Sequence, residues 1–178
     1  MVSKGGEEDE VTGAGAEHVN ESTGLLSGGC AGIDDVSWRH KLGSKYSDEN
    51  FQETVEQLRQ QLLKSRDVKK VKNVLRSLDI SVNDELVALV KRYNFDSPGI
   101  TFTPDNYDAW KRLASVQGSI DDARYFVHEM TEVKELQQTG FDFMGSTWAN
   151  MTRKQKQQWQ ADFERYYMQA HSKALEAE

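Results

Sequence analysis

From Ile33 onward, apolar residues recur at spacings of three and four, and the spacing is interrupted by residues that start or stop helices. Two of the starts have the three-residue spacing of a capping box, Ser119 with Asp122 and Thr152 with Gln155. Each run is long enough for several helical turns, and we find no sequence repeat. The pattern predicts an all-α fold, an irregular bundle of about six helices.

The same signals predict where the earlier helices lie and how the chain joins them. The first segment, residues 33–46, carries Trp38 and is expected to dock on the core. The sequence Ile100–Phe102 follows a Pro-Gly turn and is compatible with one short strand. The predicted helices before Ser119 run from a cap at Ser47 or Asp48 to about Ser65, from a cap at Asp67 to Leu78, from Asn83 or Ser81 to Tyr93, and from Pro104 to Gly118.

The N-terminal end of the chain has a different composition from the rest. Residues 1–30 hold 7 of the 13 glycines, no aromatic residue and a net charge of -5. Such a segment buries too little apolar surface to offset the entropy lost on ordering. We therefore predict a disordered tail over 1–32 and a helical domain over 33–178, with the site-bearing half at about 119–178.

The charge and cysteine content exclude several classes of protein. The chain has a net charge of -7, which does not favour a nucleic-acid partner, although one is possible. A basic helix face (Lys69, Lys70, Lys72 and Arg76) is compatible with phosphate contact, but a solvated face is favoured. The single cysteine, Cys30, excludes a disulfide within the chain and a cysteine-based zinc site.

No apolar run approaches the roughly 18 residues of a membrane span, so we expect none. The N-terminus also lacks the apolar stretch of a signal peptide. These features predict synthesis in the cytoplasm. Any export would then need a secretion or injection system that does not read a cleaved signal.

The predicted helix after Ser119 contains the sequence H-E-x-x-E, from His128 through Glu129 to Glu132. Residues four apart on a helix project side by side, so the imidazole of His128 and the carboxylate of Glu132 can bind the same divalent metal ion. The intervening Glu129 is then a candidate proton acceptor, as in the related H-E-x-x-H motif. We assign Glu129 and His128 as candidate catalytic residues.

Periodicity also offers a simpler interpretation of this motif. His128 and Glu132 lie roughly opposite the main apolar arc of their helix, which favours a solvated face. Tyr125 and Leu136 flank the same polar side, so another part of the chain could cover it. Both interpretations remain open from this helix alone.

A second candidate group lies on the last predicted helix. If that helix packs antiparallel to the H-E-x-x-E helix, His171 and Glu178 can converge on His128 and Glu132. Two imidazoles and two carboxylates on facing helices form a mixed nitrogen and oxygen site suited to Zn, Mn or Fe. The alternative is that His171 is a half-buried packing residue and Glu178 a frayed terminus.

The H-E-x-x-E sequence, together with A-H-S-K-A-L-E-A-E from Ala170 to Glu178, resembles the toxin domains of bacterial polymorphic toxins. Those domains lie at the C-termini of RHS-type and contact-dependent-inhibition proteins. The resemblance covers about residues 119–178. It implies that His128, Glu129, Glu132, His171 and Glu178 are functional, and that the partners are a delivery module and a cognate immunity protein.

Two functions follow as hypotheses. The first is a toxin or effector domain that hydrolyses a phosphodiester or peptide bond at a His/Glu site, with a divalent metal or Glu129 activating water. The second is a helical adaptor, chaperone or immunity-type binding module without chemistry. An enzyme requires His128, Glu132 and His171 within a few ångströms of one another, whereas an adaptor does not.

Overall fold

The computed structural model describes residues 32–43 and 48–177, and within these ranges the chain is all-α, as predicted. It forms seven α-helices, one more than the approximate number expected, and one 3-10 turn at Trp148–Asn150. Residues 1–31 of the predicted disordered tail, Cys30 among them, lie outside the described residues, whereas Gly32 is described and its carbonyl accepts from the backbone N–H of Phe102 at 2.7 Å. The helices are α1 (Asp35–Leu42), α2 (Asp48–Lys64), α3 (Val68–Ser77), α4 (Asp84–Asp96), α5 (Pro104–Ala114), α6 (Ile120–Gln138) and α7 (Arg153–Glu176).

The additional helix is α1, in the first segment. It begins where the Asp34 side chain accepts a hydrogen bond from the backbone N–H of Ser37. Trp38 is fully buried, and its indole N–H donates to the carbonyl of Phe102 at 2.9 Å. The expected short strand is reduced to a single bridge between Phe102 and Ile33. The prediction that this segment docks on the core is therefore confirmed for Trp38.

Both predicted capping boxes are present. At the start of α6, the Ser119 hydroxyl accepts from the backbone of Asp122, whose carboxylate accepts in return from the backbone of Ser119. Thr152 and Gln155 make the same reciprocal pair at the start of α7. These pairs satisfy backbone donors that a helix N-terminus otherwise leaves free, so local sequence is sufficient to fix where both site-bearing helices begin.

Asp67 occupies the predicted N-cap position of α3, and its backbone carbonyl accepts from the N–H of Val71 at 3.0 Å, but the role expected of its side chain is wrong. Its side chain makes no capping bond to α3 and is turned into the core, where one carboxylate oxygen accepts from Lys91 Nζ at 2.7 Å. The other oxygen accepts from the Trp110 indole at 3.1 Å. A hydrogen bond to a buried ammonium is stronger than one to a backbone amide. The Asp67 side chain therefore bonds to Lys91, which is distant in sequence, instead of to the first turn of α3.

Two predicted boundaries in the middle of the chain are also corrected. The helix α4 continues three residues past the expected end at Tyr93, so Asn94 is helical and fully buried. The helix α5 ends at Ala114 rather than at Gly118, and Val116 just beyond it has a left-handed φ of 66°. A left-handed residue cannot continue a right-handed helix, and it ends α5 before the glycine.

The helix α6 lies at the centre of the fold and packs against α4, α5 and α7. It runs antiparallel to α7. The first turns of α6 line the same cavity as Ala177, which follows the last residue of α7, whereas the last turns of α6 line a second cavity with Tyr166, from the middle of α7. Trp110, Trp148 and Trp159 belong to the buried core, as predicted. Within the described part of the chain, no helix is long and apolar enough to cross a membrane.

Candidate metal centre

Three side chains from the two sequence motifs meet between α6 and α7. His128 Nε2 lies 3.0 Å from Glu132 Oε1 and 3.0 Å from His171 Nδ1. His171 Nδ1 lies 2.6 Å from the same Glu132 oxygen. The antiparallel packing of α6 and α7 produces this arrangement, because it brings a residue near the end of α7 beside one turn of α6.

The separations between these three atoms suit a single bound cation. An ion with bonds of about 2.1 Å holds neighbouring octahedral ligands roughly 3.0 Å apart and tetrahedral ligands roughly 3.4 Å apart. Two of the observed separations, 3.0 Å each, match the octahedral value, and the third, 2.6 Å between His171 Nδ1 and Glu132 Oε1, is shorter. A proton bridges only two of the atoms at a time, whereas one cation on one side of the plane of the three atoms contacts all of them.

The carboxylate of Glu132 is the buried member of the group. Its side chain is 2% exposed, and its second oxygen accepts a hydrogen bond from the Tyr93 hydroxyl at 2.8 Å. The sequence-based interpretation that favoured a solvated face is therefore wrong for Glu132. Periodicity assumes one buried face per helix, but α6 is covered on several sides because α4, α5 and α7 all pack against it.

A polar stripe runs along α6 beside the three ligating atoms. Tyr125, His128, Glu129 and Glu132 follow the spacing i, i+3, i+4, i+7, which places them on one side of a helix. Burial, with a smaller contribution from the charge of Glu132, raises the pKa of Glu129 to about 8. A hydrogen bond from Asn94 lowers the Glu129 pKa but does not offset these effects.

The hydroxyl of Tyr125 is buried and has no hydrogen-bond partner among the described residues. Burial and the nearby charges of Glu129 and Glu132 raise the pKa of this hydroxyl well above its usual range. Burial, followed by the charges of Glu132 and Glu129, also raises the pKa of Tyr167 to about 12. Both phenols therefore remain protonated donors beside two carboxyl groups.

An aromatic column on α7 fixes the position of His171. Tyr167 stacks on the His171 ring with 5.4 Å between centroids, and Phe163 stacks on Tyr167 at 5.8 Å. The column continues to Trp159, one further turn along the helix. Gly99 allows this packing, since a Cβ at that position would lie 2.4 Å from Cε1 of the Phe163 ring.

The site is open on the side of the histidines. The His128 side chain is 12% exposed and that of His171 34% exposed, in contrast to buried Glu132. A cation held by these three residues would therefore keep coordination positions toward solvent, which is the property that separates catalytic from structural metal sites.

The structure brings together three of the four residues assigned as metal ligands, and the fourth, Glu178, lies outside the described residues. The assignment of Glu129 and His128 to catalysis remains a prediction. Sequence reasoning missed Tyr93 and Asn94, which reach the site from α4. No local signal pointed to them, because their role depends on how α4 packs against α6.

The two buried tyrosines near Glu132 should respond oppositely to loss of the hydroxyl. Tyr93→Phe removes a bond to a carboxylate, and we expect it to lower the free energy of unfolding by about 1.5–3 kcal/mol. Tyr125→Phe removes a buried hydroxyl that has no partner in the described part of the chain, so we expect no loss, or a gain of up to about 1 kcal/mol. Urea unfolding of both variants provides the measurement.

These variants serve as controls for each other, because each replaces one buried tyrosine by phenylalanine. Equal destabilisation of the two would contradict this description of the site. It would mean that the Tyr125 hydroxyl has a bonding partner, such as a buried water.

Comparison with protein-family models, with curated proteins and with solved structures finds no match to this chain.

Proposed function

We propose that His128, Glu132 and His171 bind one divalent cation, Zn, Mn or Fe, and that the domain is a metal-dependent hydrolase. The observation that carries this proposal is the mutual approach of three ligand atoms to within 3.0 Å. Two imidazole nitrogens and one carboxylate oxygen are a ligand set that suits these metals, and harder ions such as Ca²⁺ prefer oxygen alone.

The surroundings of the ligands favour the same function. A ligating carboxylate is usually held by a second hydrogen bond, and the Tyr93 hydroxyl supplies one to Glu132 Oε2. When bound, the cation would supply Lewis acidity and lower the pKa of a coordinated water. The exposed edges of His128 and His171 leave a path for water and substrate from the surface.

Glu129 is the proposed proton acceptor. A general base works best when its pKa lies near the operating pH, and burial brings the pKa of Glu129 to about 8. A cation beside it would lower that value by favouring the ionised carboxylate. Asn94 and Tyr125 lie on the same side of the site, where donors would orient the ionised form.

The biological role that we propose, a toxin or effector domain, rests on the resemblance of the two motifs rather than on the site geometry. Its partners would be a delivery module and an immunity protein. Induced expression in a bacterial cytoplasm tests this role. Growth arrest with the wild type but not with Glu129→Gln would support it, whereas normal growth with both would contradict it.

The hydrolase is tested with protein reconstituted with Zn, Mn or Fe and assayed on bis(p-nitrophenyl) phosphate and labelled casein. We expect Glu129→Gln to lower kcat by at least about 100-fold, because a general base typically contributes that much. Metal binding should be retained, since Glu129 is not a proposed ligand.

The matched control is Glu164→Gln, which changes an exposed carboxylate on α7. It should leave turnover within about twofold of the wild type. Equal turnover by wild type and Glu129→Gln, or no turnover with any metal on either substrate class, would count against the hydrolase.

A further inference from the structure

A second polar feature lies away from the candidate metal centre, in a cavity between α3 and α5. Its volume is about 370 Å³, within the range of small-molecule sites. Three basic side chains, Arg66, Lys70 and Lys111, line it, and all three are exposed. None of them has an ion-pair or hydrogen-bond partner among the described residues, so their charges are available to a ligand.

Two other basic residues of the same helices are neutralised by ion pairs, whereas Lys69 and Arg76 on α3 have no ion pair among the described residues and do not line the cavity. On α3, Lys72 pairs with Asp84, and on α5, Arg112 pairs with the buried carboxylate of Asp122. The cavity is distinguished by convergence, because three cations from the connection before α3, from α3 and from α5 line one wall. Like charges gathered in one cavity repel one another, and an anion bound between them relieves that repulsion.

One acidic side chain, Asp67, also lines the cavity, but its charge is already balanced. It accepts from the buried ammonium of Lys91 at 2.7 Å, from Trp110 at 3.1 Å and from the Ser65 hydroxyl at 2.6 Å. The wall therefore retains the positive charge of three side chains. Because this carboxylate faces inward, it also makes no capping bond to the first turn of α3.

We propose that this cavity binds the phosphate group of a nucleotide through Arg66, Lys70 and Lys111. A phosphate group carries the charge that three unpaired cations complement, and a guanidinium with two ammonium groups is a usual donor set for it. The volume leaves space beyond one phosphate, and Ala114 adds an apolar surface for the attached sugar or base. The nucleotide is either free or part of a nucleic-acid strand.

This site is independent of the proposed hydrolase. Its residues lie on α3, on α5 and on the connection before α3, whereas the candidate metal centre lies on α6 and α7. Failure of either proposal therefore leaves the other unaffected.

The test uses the full chain and three probes: inorganic phosphate and AMP by calorimetry, and a labelled twelve-residue oligo(dT) by fluorescence anisotropy at 50 and 200 mM NaCl. We expect Lys70→Gln/Lys111→Gln to weaken binding at least about tenfold. With three contacts to a single strand, the slope of log K against log salt should be about -2 in the wild type and closer to zero in the variant.

The matched control is Lys134→Gln/Lys154→Gln, which removes two exposed lysines from α6 and α7 and changes the net charge equally. It should bind as the wild type does. All four lysines are exposed, so thermal unfolding should be unchanged in both double variants.

The probes distinguish the two sources of the phosphate. Tighter binding of the oligonucleotide than of AMP, with the expected salt slope, supports a nucleic-acid strand. If AMP and the oligonucleotide bind equally tightly, and Lys70→Gln/Lys111→Gln loses the binding of both, the result supports a free nucleotide. The proposal is overturned if no probe binds at 50 mM NaCl, or if the two double variants bind alike.

Discussion

Metal-free Glu129→Gln protein should be more stable than the wild type at pH 8.5, and the difference should disappear toward pH 4.5. Folding raises the pKa of Glu129 from 4.5 to about 8, chiefly through burial. Between these values the unfolded chain releases its proton more readily than the folded chain does. The wild type therefore loses stability as the pH rises through this window, and a neutral glutamine does not.

The expected difference at pH 8.5 is on the order of a few kcal/mol, because each unit of pKa difference is worth about 1.4 kcal/mol. Urea unfolding in a chelating buffer at half-unit pH steps measures it. For Glu164→Gln, which changes an exposed carboxylate, the difference from the wild type in the free energy of unfolding should not change with pH. A flat profile for Glu129→Gln as well would contradict the burial of this carboxyl group.

Added metal should change this profile in a specific way. A cation held by His128, Glu132 and His171 favours the ionised form of Glu129, so its folded-state pKa falls. The wild type should then lose less stability between pH 5 and 8 when metal is present. This dependence connects the stability measurement to the proposed centre without an activity assay.

Replacement of Glu132 should have the other large effect. We expect Glu132→Ala to lower the free energy of unfolding of metal-free protein by about 3–5 kcal/mol, the usual result of breaking a buried polar network. The substitution leaves the Tyr93 hydroxyl without its acceptor and removes the group that both imidazoles face. It also leaves a cavity in the centre of α6.

The matched control is Glu135→Ala, one turn further along α6. Glu135 pairs with Lys173, whose side chain is exposed, and such surface pairs contribute about 0–1 kcal/mol. If Glu132→Ala is too unstable to purify, the isosteric Glu132→Gln should still unfold at a lower urea concentration than the wild type. A loss no larger than that of Glu135→Ala would contradict a buried network around Glu132.

Much of the fold was predictable because its determinants are local. The capping pairs Ser119 with Asp122 and Thr152 with Gln155 satisfy backbone donors within one turn, so their sequence spacing is sufficient to identify them. The same spacing rules identified the H-E-x-x-E helix and His171. The conditional expectation that antiparallel packing would bring these residues together is met by the structure for His128, Glu132 and His171.

The remaining features depend on contacts between distant parts of the chain. Glu132 is buried because three helices pack on α6, and helical periodicity carries no information about how many neighbours a helix has. Tyr93 and Asn94 join the site from α4, at the predicted end of that helix and at the residue just after it. Asp67 likewise satisfies the buried Lys91, which lies 24 residues further along the chain.

Two residues of the polar stripe on α6 lower the stability of the metal-free protein. A buried carboxyl group with a raised pKa and an unpartnered Tyr125 hydroxyl both cost stability in the absence of a ligand. Residues retained at such a cost are typical of sites where charge or hydrogen bonds are needed during chemistry.

Metal binding by the purified chain tests the central claim most directly. The protein is stripped with chelator, dialysed against Zn, Mn or Fe, and assayed by elemental analysis with thermal melts, alongside His128→Ala, His171→Ala and the exposed His40→Ala as control. We predict about one equivalent of metal in the wild type and in His40→Ala, and its loss in the other two variants. At a free metal concentration 100 times Kd, the bound ion should add about 2.7 kcal/mol of stability. Metal-free wild type with unchanged melts, or equal metal content in all four proteins, would contradict a metal centre at His128, Glu132 and His171.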